Sequence, residues 1–246
     1  MTRHSLSYHP PSWQSDAGRR EVGVLVGLGL ISIVLWSTPF GAYLLYPFSI
    51  LATWFHEMGH GLAAMIGGNV FHSLVIFPDG SGYAAYFTHG EMSQLEQAGI
   101  AAIGLLGPTL AGCALILAAQ SRASTKAALL LLGVALLVSC LIWVRSLTGW
   151  LVLPAIGAIC LYMAVRARQD HQRFAVQFLG VQGCISIYRD FGYLFNKGGV
   201  LNGQQQLSDT GYIAQALVLP YWFWGGMISA LMVIMVFWCL KRVHTR

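Results

Sequence analysis

Charge is scarce in this chain. Asp, Glu, Lys and Arg make up only 9% of its 246 residues, where ordinary soluble domains carry about 25%. With 56% hydrophobic residues and a mean hydropathy of +0.63, that deficit excludes a soluble globular domain and reads as an all-α polytopic membrane protein. Long polar stretches are also missing: outside the first twenty residues and the segment around 196–210, no run is polar enough to form a water-facing domain. The five cysteines, Cys113, Cys140, Cys160, Cys184 and Cys239, lie in apolar surroundings without paired spacing. They exclude a disulfide framework or a Cys-based zinc site and read as small buried apolar side chains. No internal repeat or low-complexity tract occurs, and the lack of paired broken helices argues against a transporter.

The net charge of +5 does not point to nucleic acid. The basic residues cluster beside apolar runs, at Arg19-Arg20, Arg122/Lys126, Arg166/Arg168/Arg173 and Lys241-Arg242/Arg246, as cytoplasmic loops of membrane proteins do. A helix needs about 20 mostly apolar residues to cross the bilayer core. Six to seven spans are expected, near 22–47, 48–66, 98–119, 127–144, 147–165, 174–195 and 217–240. They form one integral-membrane domain over 22–246, after a cytoplasmic N-terminal segment over 1–21. Seven crossings conflict with two basic, inward-facing ends, so one segment is expected to be re-entrant or not a span at all. The first apolar run is too long for a cleavable signal peptide. The short basic loops point to a bacterial cytoplasmic membrane.

Against this background one short motif stands out, His56-Glu57-Met58-Gly59-His60, set between Pro47-Phe48-Ser49-Ile50-Leu51 and Leu62-Ala63-Ala64-Met65-Ile66. Shuffling this composition would yield HExxH roughly 0.004 times. On a helix the two His share a face and can ligate one Zn²⁺, while Glu57 can accept a proton from water. The bland alternative is two buried His bonded to carbonyls, with Glu57 paired to one of them. Three ionisable groups on two turns of apolar helix would then be costly decoration. The helix is expected to start near Phe48 and stop at Gly67-Gly68, with Gly59 and Gly61 letting a neighbour approach closely.

Two β-prone runs follow, Val70 to Phe77 and Tyr83 to Thr88, around Pro78-Asp79-Gly80-Ser81-Gly82. They predict a hairpin. Beside a zinc helix it offers an edge to which an extended peptide can add, with Val75, Phe77, Tyr83 and Tyr86 as candidate substrate contacts; a plain surface hairpin is the alternative. His72 and His89 flank it as outlying ligand candidates. Gly107-Pro108 is expected to interrupt the next helix.

A catalytic zinc commonly takes three protein ligands. In the expected spans beyond the motif the only acidic residue is Asp190, which is therefore preferred as third ligand. Asp209 is its rival, although Ser208-Asp209 before Gly211-Tyr212-Ile213-Ala214 also reads as a helix N-cap.

Taken together, His56-Glu57-Met58-Gly59-His60-Gly61-Leu62-Ala63-Ala64, the Gly67-Gly68 stop, the Pro78 to Gly82 turn and Gly107-Pro108 resemble the site-2 protease family of intramembrane zinc metallopeptidases, in its short bacterial branch. The resemblance is specific over about 50–110. It implies zinc held by His56 and His60, Glu57 as general base, and a transmembrane protein as substrate. The family's Leu-Asp-Gly segment is absent; Arg189-Asp190-Phe191-Gly192 and Ser208-Asp209-Thr210-Gly211 come nearest. Ala111 stands where the Gly-Pro helix often has Asn. The expected function is thus a zinc-dependent intramembrane endopeptidase. The alternative is an inactive member serving as a binding or assembly factor.

Overall fold

The structure, a computed structural model, describes residues 12–88, 90–189, 191–201 and 204–245. It is a helical assembly with one small hairpin beside the motif helix. Helix α1 (Ser12–Trp36) turns through 116° into α2 (Pro39–Ile66). The break is set by Thr38, whose extended backbone and side-chain acceptor for the Gly41 N–H make it an N-cap, with Pro39 in the first turn. The motif helix therefore begins at Pro39 rather than Phe48, and Pro47 lies inside it. His56 sits about 26 Å along the helix axis at 1.5 Å per residue.

Strands β1 (Val70–Ile76) and β2 (Gly82–Phe87) pair antiparallel, with Leu74 opposite Ala84 and Val75 opposite Tyr83. The turn uses Gly80 at φ 88°, in the left-handed region that glycine tolerates. The tip is tied to α2: Tyr46 donates to the Pro78 carbonyl at 2.9 Å, and Thr53 to the Gly80 carbonyl at 2.5 Å. Asp79 accepts from the Ser81 hydroxyl at 2.7 Å and its N–H at 2.9 Å. These bonds hold the Asp79 carboxyl below the ordinary carboxylate range.

Helices α3 (Gln94–Ala118), α4 (Arg122–Ile142), α5 (Leu147–Arg166), α6 (Gln169–Arg189), the short α7 (Phe191–Leu194), strands β3 (Gly198–Leu201) and β4 (Gln204–Leu207), and helices α8 (Asp209–Ala216) and α9 (Tyr221–His244) complete the order. Four of these, α3, α4, α5 and α9, are long and apolar enough to cross a membrane, and the bent α1–α2 pair makes a fifth candidate. The sequence leads to an expectation of six to seven. Two of its spans merge into the bent pair, and the span expected over 174–195 corresponds to α6, which is too polar to qualify.

Helix α6 is central all the same. Its buried Gln182 donates to Ser32 at 2.9 Å and accepts from the Trp36 indole at 3.3 Å. One carboxylate oxygen of Glu21 on α1 takes Arg173 at 2.6 Å, Gln120 at 2.8 Å and Gln177 at 2.9 Å. Polar groups removed from water need such partners, and α1 supplies them to α6 through Glu21, Ser32 and Trp36. Helix α3 runs unbroken through Gly107-Pro108. That pair serves close packing instead: a Cβ on Gly107 would lie 2.6 Å from the Phe55 carbonyl oxygen.

Candidate metal centre

Helix α2 presents His56 and His60 one turn apart, their Nε2 atoms 3.0 Å from each other. The His60 Nδ1 lies 3.0 Å from the Ile100 carbonyl on α3. Donation there fixes the tautomer that leaves Nε2 as an acceptor. Gly104, the residue of α3 facing this ring, has no room for a Cβ, which would overlap the imidazole. The approach of α3 to α2 thus depends on Gly104 and Gly59, whose own Cβ would lie 2.9 Å from the Ile103 carbonyl oxygen.

The third group comes from α8. Asp209 places Oδ2 3.0 Å from the His56 Nε2 and Oδ1 3.4 Å from the His60 Nε2. Its position is built by the residues before it. Ser208 caps α8 by accepting from the Gly211 N–H at 3.1 Å, and its own N–H donates to the Lys197 carbonyl at 3.1 Å. The Ser208 hydroxyl also donates to the Asn196 carbonyl. Ser208 is the cap and Asp209 the first helical residue, so the capping and ligand readings of this segment are compatible. The tyrosine of α7, Tyr193, donates to the Asp209 Oδ2 at 3.1 Å.

Among the described residues, His56, His60 and Asp209 form the one group of three or more His, Cys, Asp or Glu placed to hold a metal ion. Tetrahedral zinc with bonds of 2.0–2.2 Å separates its ligand atoms by about 3.3–3.5 Å. The two Nε2 atoms at 3.0 Å, with the Asp209 oxygens at 3.0 Å (Oδ2 to His56) and 3.4 Å (Oδ1 to His60), are spaced on that scale, and one ligand atom from each residue lies within 4.8 Å of the other two. Two imidazoles and one carboxylate are also a donor set that zinc accepts. Of the two acidic candidates, Asp209 is the one that α8 brings onto the paired His; Asp190 lies outside the described residues.

Glu57 is buried, and the Ala84 backbone of β2 hydrogen-bonds to it. It borders a cavity of about 560 Å³ shared with His56, His60, Asp209, Tyr193 and β2. A second cavity of about 290 Å³ meets the first at His56, Glu57, Gly82 and Tyr193. Strand β1 is closed on its outer side: Leu74 accepts from the Arg145 N–H and donates to the Trp143 carbonyl, both at 2.8 Å, and the Ile76 N–H donates to Ser146. Leu74 and Ile76 thus point their backbone groups away from β2. By antiparallel alternation, their partners Ala84 and Gly82 point theirs outward from the other edge, toward the cavity.

Of the four hairpin residues expected to meet substrate, Tyr83 and Tyr86 on β2 line the larger cavity. Val75 and Phe77 do not, because β1 faces the α4–α5 connection. His72 is exposed at a register shift, its ring 4.7 Å from that of Phe87, and stands apart from the cluster. His89 lies outside the described residues. Tyr193 escapes sequence reasoning altogether, since a lone tyrosine in the four-residue α7 carries no motif.

The Peptidase M50B-like family model matches residues 25–239 of the chain. The chain belongs to this family. As an M50B-like protein it is an integral-membrane member of a metallopeptidase family, and the site-2 protease resemblance of its motif helix is borne out over most of its length. The chain has no match among curated proteins or solved structures.

Proposed function

We propose that this M50B-like protein is a zinc-dependent intramembrane endopeptidase that cleaves transmembrane or membrane-proximal segments of other proteins, in a bacterial cytoplasmic membrane. The observation that carries the reading is the convergence of His56, His60 and Asp209 within 3.4 Å, with Glu57 and an open strand edge on the same cavity. His56, His60 and Asp209 would hold the ion. Zinc bound in such a site supplies Lewis acidity, bringing the acidity of a bound water toward neutral and polarising a carbonyl.

The chain's own groups account for the remaining steps. Glu57 accepts a proton from water as the water's oxygen bonds to the peptide carbonyl carbon. The C–N bond then breaks, and Glu57 returns that proton to the departing amine. Helical backbone is closed to such attack because its carbonyls are bonded internally, so the substrate must be extended locally. The outward backbone groups of Gly82 and the Ala84 carbonyl suit that task by adding the substrate as a further strand, while the Ala84 N–H is held by Glu57.

The test is cleavage of a single-span model peptide carrying a Gly-Pro break, co-reconstituted in bilayers with the wild type and Glu57→Gln. The wild type is expected to cleave, and Glu57→Gln to lose at least a thousandfold in rate while retaining its zinc. Turnover surviving in Glu57→Gln would overturn the assignment of the base.

A further inference from the structure

The cluster leaves one question of chemistry open: which oxygen of Asp209 faces the metal. Both carboxylate oxygens are near an imidazole, Oδ2 at 3.0 Å from His56 and Oδ1 at 3.4 Å from His60. Distance alone does not choose between one-oxygen and two-oxygen binding. A carboxylate that chelates through both oxygens takes up coordination space that hydrolysis needs for water.

Tyr193 breaks the symmetry. Its hydroxyl donates to Oδ2 at 3.1 Å and accepts from the Asp209 N–H at 3.3 Å, so one phenol grips both the side chain and the backbone of one residue. The phenol is itself well anchored. Its carbonyl accepts from the Asn196 N–H at 3.1 Å, and the next residue, Leu194, is fully buried. The Leu194 carbonyl rests on Gly225 of α9, where a Cβ would collide with it. Tyr193 also meets the His56 ring edge-on at 6.3 Å between centroids, and it lines both cavities where they join.

We propose that Tyr193 is a positioning residue for the metal-holding carboxylate, occupying Oδ2 of Asp209 so that only Oδ1 is offered to the ion and a coordination position stays free for water. The inference rests on the metallopeptidase reading of the same site. Partners of this kind that orient a ligand from behind are typically worth 10–100-fold in metal affinity.

The experiment compares the detergent-purified wild type with Tyr193→Phe, which keeps the ring and removes only the hydroxyl. Zinc affinity is measured by chelator competition, and the cobalt-substituted proteins are compared by visible absorption. Tyr193→Phe is expected to bind zinc 10–100-fold more weakly. Its cobalt bands should weaken from the intense four-coordinate pattern toward the paler five-coordinate one, as the freed carboxylate chelates. Melting of the metal-free proteins separates folding from ligand geometry, and the cobalt spectrum does not respond to a loss that is only structural. Equal zinc affinity and an unchanged cobalt spectrum in Tyr193→Phe would overturn the role of Tyr193 and leave the peptidase reading standing. A wild type that binds neither metal would overturn both.

Discussion

His60 has its two ring nitrogens committed in opposite directions, Nδ1 to the Ile100 carbonyl and Nε2 to His56 and Asp209. That arrangement exists only because Gly104 leaves the ring its space. Gly104→Ala is expected to push the imidazole or α3 aside, at the roughly 1–3 kcal/mol typical of overpacking. Zinc affinity should fall by about tenfold or more, with a lower melting temperature, and chelator competition alongside thermal unfolding reads both. Unaltered affinity in Gly104→Ala would mean that the helix contact is looser than described. At this scale the sequence was informative where residues are close along the chain. His56, Glu57 and His60 announce themselves by spacing alone, because a helix puts i and i+4 on one face. The third member of the cluster, Asp209, is remote in sequence, and its place there depends on how α8 folds back. An apolar stretch draws attention to Asp190, but burial by lipid is not the only way to bury a carboxylate. Asp209 is buried by protein, at the start of a short helix that follows the polar run Gln204-Gln205-Gln206.

At the scale of elements, the hairpin was legible because Pro-Asp-Gly between two β-prone runs carries its own turn chemistry. Which of its strands faces the site was not. That depends on Leu74 pairing with the distant residues Trp143 and Arg145, which seals β1 and leaves β2 open. If a substrate adds to β2 as a strand, its backbone N–H groups alternate between facing the edge and facing away. Scanning backbone N-methylation along a cleaved single-span peptide should therefore reduce cleavage with a period of two residues around the scissile bond. A flat profile would contradict docking by strand addition. Prolines were the weaker guides: Pro47 and Pro108 both lie inside continuous helices, because neighbouring helices in a packed membrane assembly tolerate freed backbone carbonyls.

For the whole molecule, the all-α membrane character was plain from composition, while the number of spans was not. Hydropathy cannot tell that α1 and α2 meet at a 116° bend. Nor can it tell that α6 is shielded by α1 and α3, with the Glu21, Arg173, Gln120 and Gln177 knot at one end and Gln182 with Ser32 and Trp36 further along. That packing brings residues about 150 positions apart, on α2 and α8, into one cavity (a separation apparent from 56, 60 and 209). The account stands on this cavity holding one metal ion. The most direct test is the zinc content of detergent-purified wild type beside Asp209→Ala and Asp190→Ala. About one zinc per chain is predicted in the wild type and in Asp190→Ala, and almost none in Asp209→Ala. Zinc retained in Asp209→Ala, or lost in Asp190→Ala alone, would contradict the site described.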